Sequence, residues 1–172
     1  MSSLLTGAAA VRTRGLTKRF GATVAVDHLD LEVAPGEVFG FLGPNGAGKT
    51  TTIRLLLGLQ RPTEGTAEIL GLDCTRAGDR IHRKVGYLPG DFAAYPHLTA
   101  AQYLSFLAAL RGGVMSLAVD ELVERFDLDV SRRLGTLSRG NRQKVGLVQA
   151  FMHAFAHAGR DLVHAQLATG PV

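Results

Sequence analysis

Gly43-Pro44-Asn45-Gly46-Ala47-Gly48-Lys49-Thr50 reads G-x-x-x-x-G-K-[ST] without a gap. Matching its four fixed positions by chance in a chain of this length is roughly a 1% event at ordinary residue frequencies. The flanks sharpen the match. Val38-Phe39-Gly40-Phe41-Leu42 is a nearly all-apolar run, the pattern of a strand buried on both faces as in a parallel sheet. Beyond the motif, Ile53, Leu56 and Leu57 recur at helical spacing and predict a helix with that face inward. A glycine-rich loop between strand and helix can wrap its backbone around an anion. Gly43, Gly46 and Gly48 let successive N–H groups aim at phosphate oxygens, and the helix start adds the positive end of its dipole. Lys49 brings a point charge for β- and γ-phosphates, and Thr50 a hydroxyl placed to ligate Mg²⁺. The bland alternative is a glycine-rich turn that happens to precede a helix.

Outward from the loop, Val24, Val26, Leu29, Leu31 and Val33 alternate loosely and predict one or two strands of an exposed antiparallel element, closed by the turn signal Pro35-Gly36. Short strands are expected at 67–70 and 85–88, the second ending at Pro89-Gly90. From Thr99 the texture turns helical. Thr99 with Gln102 is a capping-box pair, and Tyr103, Phe106, Leu107 and Leu110 follow at helical spacing until Gly112-Gly113. Further helices are expected over 117–126 and from about Ser138 to Phe155, the last burying Val145, Val148, Met152 and Phe155. With no repeat, low-complexity tract or linker, the expectation is a single domain over 1–172, strand-rich first and helical later.

Composition narrows the class. The chain has 172 residues, 46% hydrophobic and 20% charged, so it can bury a core and is not disordered by composition. Its single cysteine, Cys74, excludes an intramolecular disulfide framework and fits a reducing compartment. No apolar stretch approaches the ~20 residues of a membrane helix, and the start lacks the basic residues of a signal peptide. The expected location is therefore cytoplasmic. A net charge of +4 with 6% aromatics and no tryptophan is light for a nucleic-acid binder, and an anionic small ligand is at least as good a fit.

A phosphate loop alone leaves kinase, GTPase and ATPase open. From about Leu16 to Met152, however, the chain resembles the ABC-type ATPases. The loop GPNGAGKTT, which adds Thr51, is similar to that family's form, and Leu137-Ser138-Arg139-Gly140-Asn141-Arg142-Gln143-Lys144 resembles its signature, commonly LSGGQ. Leu137, Ser138 and Gly140 agree with it, while Arg139 and Asn141 depart. The resemblance is closest to exporter-type subunits that pair with separate membrane proteins. It implies an α/β fold, a P-loop NTPase core with an N-terminal antiparallel β element and a helical subdomain at about 91–140. It also implies ATP and Mg²⁺ as cofactors. The implied partners are a membrane-spanning permease, which holds the chain at the cytoplasmic face of the membrane, and a second ATP-binding subunit in a head-to-tail dimer, with no nucleic acid. Phe20 sits where the family places an aromatic that stacks on adenine; a strand-edge core residue is the alternative. Ser138, Arg139, Gly140 and Asn141 would face the γ-phosphate of ATP held by the second subunit, although Ser138 also reads as an ordinary N-cap.

Departures follow. Where the family usually has a Mg²⁺-touching glutamine this chain has Gly90, with Asp91 the nearest substitute or merely a turn residue. After the signature helix the family continues with an apolar strand ending in Asp-Glu. Here the chain reads HAFAHAGRDL, with Asp161 near the Mg²⁺-holding position but Leu162 in place of the glutamate. No catalytic residue is identified. His153 and His157 are four apart, as zinc ligands on a helix could be, and His164 comes too early to be the family's switch histidine. The expectation is that residues 153–172 are not the family's continuation, as a frameshift or truncation would produce, and that the core is incomplete at its C-terminal end. Three functions stay open: a transporter ATPase, a fragment that binds nucleotide without hydrolysing it, and a non-enzymatic docking module.

Overall fold

A long, bent hairpin organises the N-terminal part of the molecule. In the computed structural model, residues 9–90, 92, 95–110, 116–156 and 163–166 are described, and they fall into two compact units, one up to Lys84 and one from Val85. In the first, β1 (Val11–Phe20) pairs antiparallel with β2 (Thr23–Val33) and, along its other edge, with β3 (Glu64–Ile69). A short β4 (Leu72–Asp73) completes the sheet order β2-β1-β3-β4. The antiparallel element expected from 24–33 is therefore present, with β2 as one strand. Its partner β1 carries no period-2 signal for a physical reason. Three register shifts interrupt its ladder with β2, and Gly15 sits at φ +53°. The neighbours Leu16 and Thr17 are both buried as a result. Buried Thr17 is satisfied, its hydroxyl donating to the Gly15 carbonyl and accepting from the His28 N–H, both at 3.1 Å.

Helix α1 (Lys49–Leu56) follows the glycine-rich loop as expected; Leu57 at its C-terminal end is buried as expected, but within the helix Thr52 and Leu55 are buried while Ile53 and Leu56 are half-buried. A short α2 (Gly78–His82) buries Ile81 and ties back through its His82 ring, 2.6 Å from the Leu57 carbonyl. Burial also pushes the Cys74 thiol up to about 12, which makes it an inert core group at neutral pH.

Residues 38–42 differ from expectation. They form no strand and pair with none of the described residues. Val38 is 101% exposed and Leu42 90%. An all-apolar run becomes a doubly covered strand only if neighbouring strands flank it, and here the described residues supply none.

The second unit holds β5 (Val85–Leu88), α3 (Ala100–Leu110), α4 (Ser116–Arg125), α5 (Arg139–Ala156) and β6 (Val163–Gln166). Strand β6 runs parallel to β5, pairing Val85 with Val163 through Leu88 with Gln166. The capping box at α3 forms reciprocally: the Thr99 N–H donates to Gln102 Oε1 at 2.9 Å, and the Gln102 N–H to Thr99 Oγ1 at 3.2 Å. The remaining first-turn donors are met as well, Ala100 by the Arg132 carbonyl, Ala101 by that of Val130 and Tyr103 by that of Thr99. Val145, Val148 and Met152 of α5 are buried as expected, against Tyr103, Leu104, Leu122, Leu128 and Leu134. The Phe155 side chain lies outside the described residues. On α3, however, Tyr103 and Leu104 face inward while Phe106 and Leu110 are 44% and 66% exposed.

The uncovered apolar run makes a prediction. At micromolar concentration the chain should self-associate on warming, and Leu42→Lys should lower the light scattering. A wild-type chain that stays monomeric and melts sharply would contradict it.

Candidate nucleotide-binding site

The loop is seated by one close approach. Gly48 is the N-cap of α1 at φ +80°, a left-handed conformation that suits glycine. A Cβ there would also collide with the carbonyl oxygen of Ala25 in β2. No side chain caps α1 and its first turn has no acidic residue, so no side-chain carboxylate neutralises the positive end of its dipole; Arg54 lies in its last turn. Among the described residues the N–H groups of Lys49, Thr50 and Thr51 meet no acceptor, and the first intrahelical bond runs from Thr52 to Gly48 at 2.8 Å. Lys49 curls across the loop, its ammonium donating to the carbonyls of Gly43 and Pro44, the latter at 2.7 Å. A positive charge is thus held by two loop carbonyls, and the loop leads into three N–H groups that meet no acceptor among the described residues. Pro44, Asn45, Gly46, Ala47 and Thr50 are exposed, and Thr51 is half-buried.

Phe20 lies at the same end of this unit. It pairs with Thr23 at the closed end of the β1–β2 hairpin, and Ala25, against which Gly48 packs, is two residues on, about 7 Å at strand rise. Phe20 is 49% exposed and stands outside the core. Lys18 Nζ lies 5.1 Å from its ring centroid, a contact the sequence reading missed. The available signal was period 2, which puts residues 18 and 20 on one face of a strand.

In the second unit, Leu137 is buried, and Ser138, Arg139 and Gly140 are exposed at the start of α5. Ser138 is an N-cap, its Oγ accepting from the Asn141 N–H at 3.2 Å and its carbonyl from the Arg142 N–H at 2.9 Å. Arg142 Nη1 donates to the Leu137 carbonyl at 2.7 Å and pins the turn. The N–H groups of Arg139 and Gly140 donate to no acceptor among the described residues. Two glycines of α5 contrast. A Cβ on Gly146 would collide with Leu88 Cδ1 and lie 3.2 Å from the Phe92 ring, whereas one on Gly140 would meet nothing within 4 Å.

The family model for the ABC transporter matches residues 26–155, about three quarters of the chain. The chain belongs to the ABC transporter ATP-binding family. It is 39% identical over 145 residues to the bacitracin transport ATP-binding protein of Bacillus licheniformis, covering 83% of this chain and 47% of that protein. It is 39% identical over 149 residues to the daunorubicin/doxorubicin resistance ATP-binding protein of Streptomyces peucetius, covering 83% and 45%. Among solved structures, an ATP-binding subunit of an ABC transporter superposes with a TM-score of 0.74 at 27% identity, covering 84% of this chain and 62% of that one. The chain spans about half the length of these two curated relatives. Its fold is that of an ABC ATPase domain, an α/β P-loop core with an antiparallel β element.

For ABC chemistry the site is unevenly furnished. Asp91, Asp161 and His157 lie outside the described residues, and nothing is described of the His153 and His164 side chains. Gly90 closes the turn after β5. Among the described residues no group of three or more His, Cys, Asp or Glu could hold a metal ion, and no helix is long and apolar enough to cross a membrane.

The seating of the loop gives a direct test. Gly48→Ala should lower stability by about 1–3 kcal/mol, from strain at φ +80° and the clash with Ala25. It should weaken ATP binding as well, with calorimetry and nucleotide titration as the measurements.

Proposed function

We propose that this chain is the ATP-binding subunit of an ABC transporter of exporter type. In this reading ATP closes a head-to-tail dimer of two such subunits, hydrolysis reopens it, and a separate membrane-spanning permease carries the transported molecule. One observation carries the binding half of the reading: a Lys49 ammonium held among the loop carbonyls, beside the open N–H donors of Lys49, Thr50 and Thr51. The triphosphate would lie across these donors, and the base would stack on Phe20. The donor set fits the phosphates, since the helix start carries no acidic residue in its first turn, and the exposed Thr50 hydroxyl would give Mg²⁺ one protein ligand beside the phosphate oxygens. Mg²⁺, when bound, would neutralise charge between the β- and γ-phosphates. The relatives named for bacitracin transport and for daunorubicin/doxorubicin resistance favour an exporter.

Gly140 supports the second subunit. Glycine is a poorer helix former than alanine, by up to about 1 kcal/mol in a helix interior, and no described residue lies close enough to Gly140 to require it. A close neighbour from outside, such as the γ-phosphate end of ATP on the partner subunit, would. Ser138 would offer its hydroxyl and Gly140 its N–H to that phosphate, with Arg139 and Asn141 flanking.

A second reading is favoured by one observation. The strand described after α5 is Val163–Gln166, and just before it the chain reads Asp161-Leu162, with no glutamate after the aspartate. The family match ends at residue 155. Such a chain would bind ATP and turn it over slowly or not at all.

Two measurements separate these readings. ATP should bind the wild type and be lost by at least about tenfold in Lys49→Ala; equal binding by both overturns the loop assignment. Turnover that vanishes in Lys49→Ala would make the chain an ATPase, and binding without turnover would favour the second reading. Gly140→Ala should leave the melting temperature unchanged or raise it, yet abolish ATP-dependent dimers in analytical ultracentrifugation. Dimers indistinguishable from wild type would remove the signature's role across the interface.

A further inference from the structure

We infer that Lys18 is a positioning residue for the nucleotide base, holding the Phe20 ring so that one face is backed by a cation and the opposite face is open to receive the base. The inference rests on the reading of Phe20 as the stacking ring.

Lys18 and Phe20 are alternate residues of β1 and rise on one side of the strand. The ammonium is fixed at two points. It donates to the Arg61 carbonyl at 2.7 Å and lies 5.1 Å from the Phe20 ring centroid. The segment carrying Arg61 is itself tied to β1, because the Arg19 N–H donates to Thr63 Oγ1 at 3.0 Å and the Thr63 N–H to the Thr17 carbonyl at 2.8 Å. The cation therefore stands on a braced support, and the ring rests against it. A phenyl ring at the end of a hairpin with half its surface in solvent would otherwise be free to turn about its side-chain torsions. Fixing it in advance removes an ordering cost from binding.

The electrostatics act in the same direction. A ring face carries negative quadrupole density, and a cation on one face draws on it. The far face becomes less electron-rich and a better platform for an electron-rich purine. The phosphates contact different atoms, so this contribution belongs to the base alone. The hairpin register sets the distance between the two ends of the ligand: Phe20 pairs with Thr23, and Ala25, two residues on, touches the loop at Gly48. A base on the ring and phosphates at the loop are thereby served by one stretch of backbone.

The test compares Mg-ATP with Mg-tripolyphosphate, which has the anion and no base, by titration calorimetry on the wild-type chain and on Lys18→Met, Lys18→Arg and Phe20→Ala. Lys18→Met should weaken ATP binding by about two- to fivefold and leave tripolyphosphate unchanged. Lys18→Arg, which keeps a cation able to meet both the ring and the Arg61 carbonyl, should restore ATP affinity. ATP affinity unchanged in Lys18→Met, or an equal loss for both ligands, overturns the inference. Phe20→Ala locates the failure. If it weakens ATP alone by about fivefold or more while Lys18→Met does not, only the role of Lys18 falls. If Phe20→Ala leaves ATP binding intact, the base-stacking reading falls and Lys18 with it.

Discussion

The approach of Gly48 to the Ala25 carbonyl is the constraint on which the first unit turns, because it fixes where a helix start meets a strand. The loop must arrive at β2 with a left-handed residue and no side chain, and only then do the first three N–H groups of α1 stand free beside Lys49. The same contact ties the loop to the β1–β2 ladder, whose closed end carries Phe20. In the proposed reading, phosphate and base would therefore be served through a few residues of one strand, and a change in the seating of the loop would reach both.

Legibility in the sequence varied with how local the determining physics is. The phosphate loop, the capping box at Thr99 and Gln102, and the buried face of α5 depend on spacing within a few residues, and all three were readable. Strand β1 was not, because bulges around Gly15 and Lys18 place Leu16 and Thr17 inward together and erase alternation. On α1 Leu57 is buried as its spacing implied, but Ile53 and Leu56 yield the inward face to their neighbours. Thr52 and Leu55 face the packed side, and a hydroxyl residue in the core is invisible to hydrophobic spacing. Phe106 and Leu110 had the right period for a core, but α3 buries Tyr103 and Leu104, and only tertiary packing chooses between such faces. Residues 38–42 failed in the opposite sense. Their composition asks for strands on both sides, a demand that other segments must meet. At the site, Lys18 went unnoticed because its partners are a ring two residues away and the distant carbonyl of Arg61, and only the second needed the fold to find.

The glycines of α5 show how burial separates internal from external necessity. Gly146 is required from within, by Leu88 and Phe92 packed against the helix. Gly140 faces open space on the same helix. Identical residues ten ångströms or less apart along a helix axis (six residues at ~1.5 Å) thus answer to different constraints. One is packed against by its own chain, and the other meets none of the described residues.

Helix α3 sets a boundary on where anions can gather. Thr99 and Gln102 close its start reciprocally, and the carbonyls of Arg132, Val130 and Thr99 take up the N–H groups of Ala100, Ala101 and Tyr103. Its dipole remains, but every donor that would turn attraction into coordination is already engaged. Sulfate or free phosphate therefore meets no open backbone donor at the start of α3, in contrast to the starts of α1 and α5.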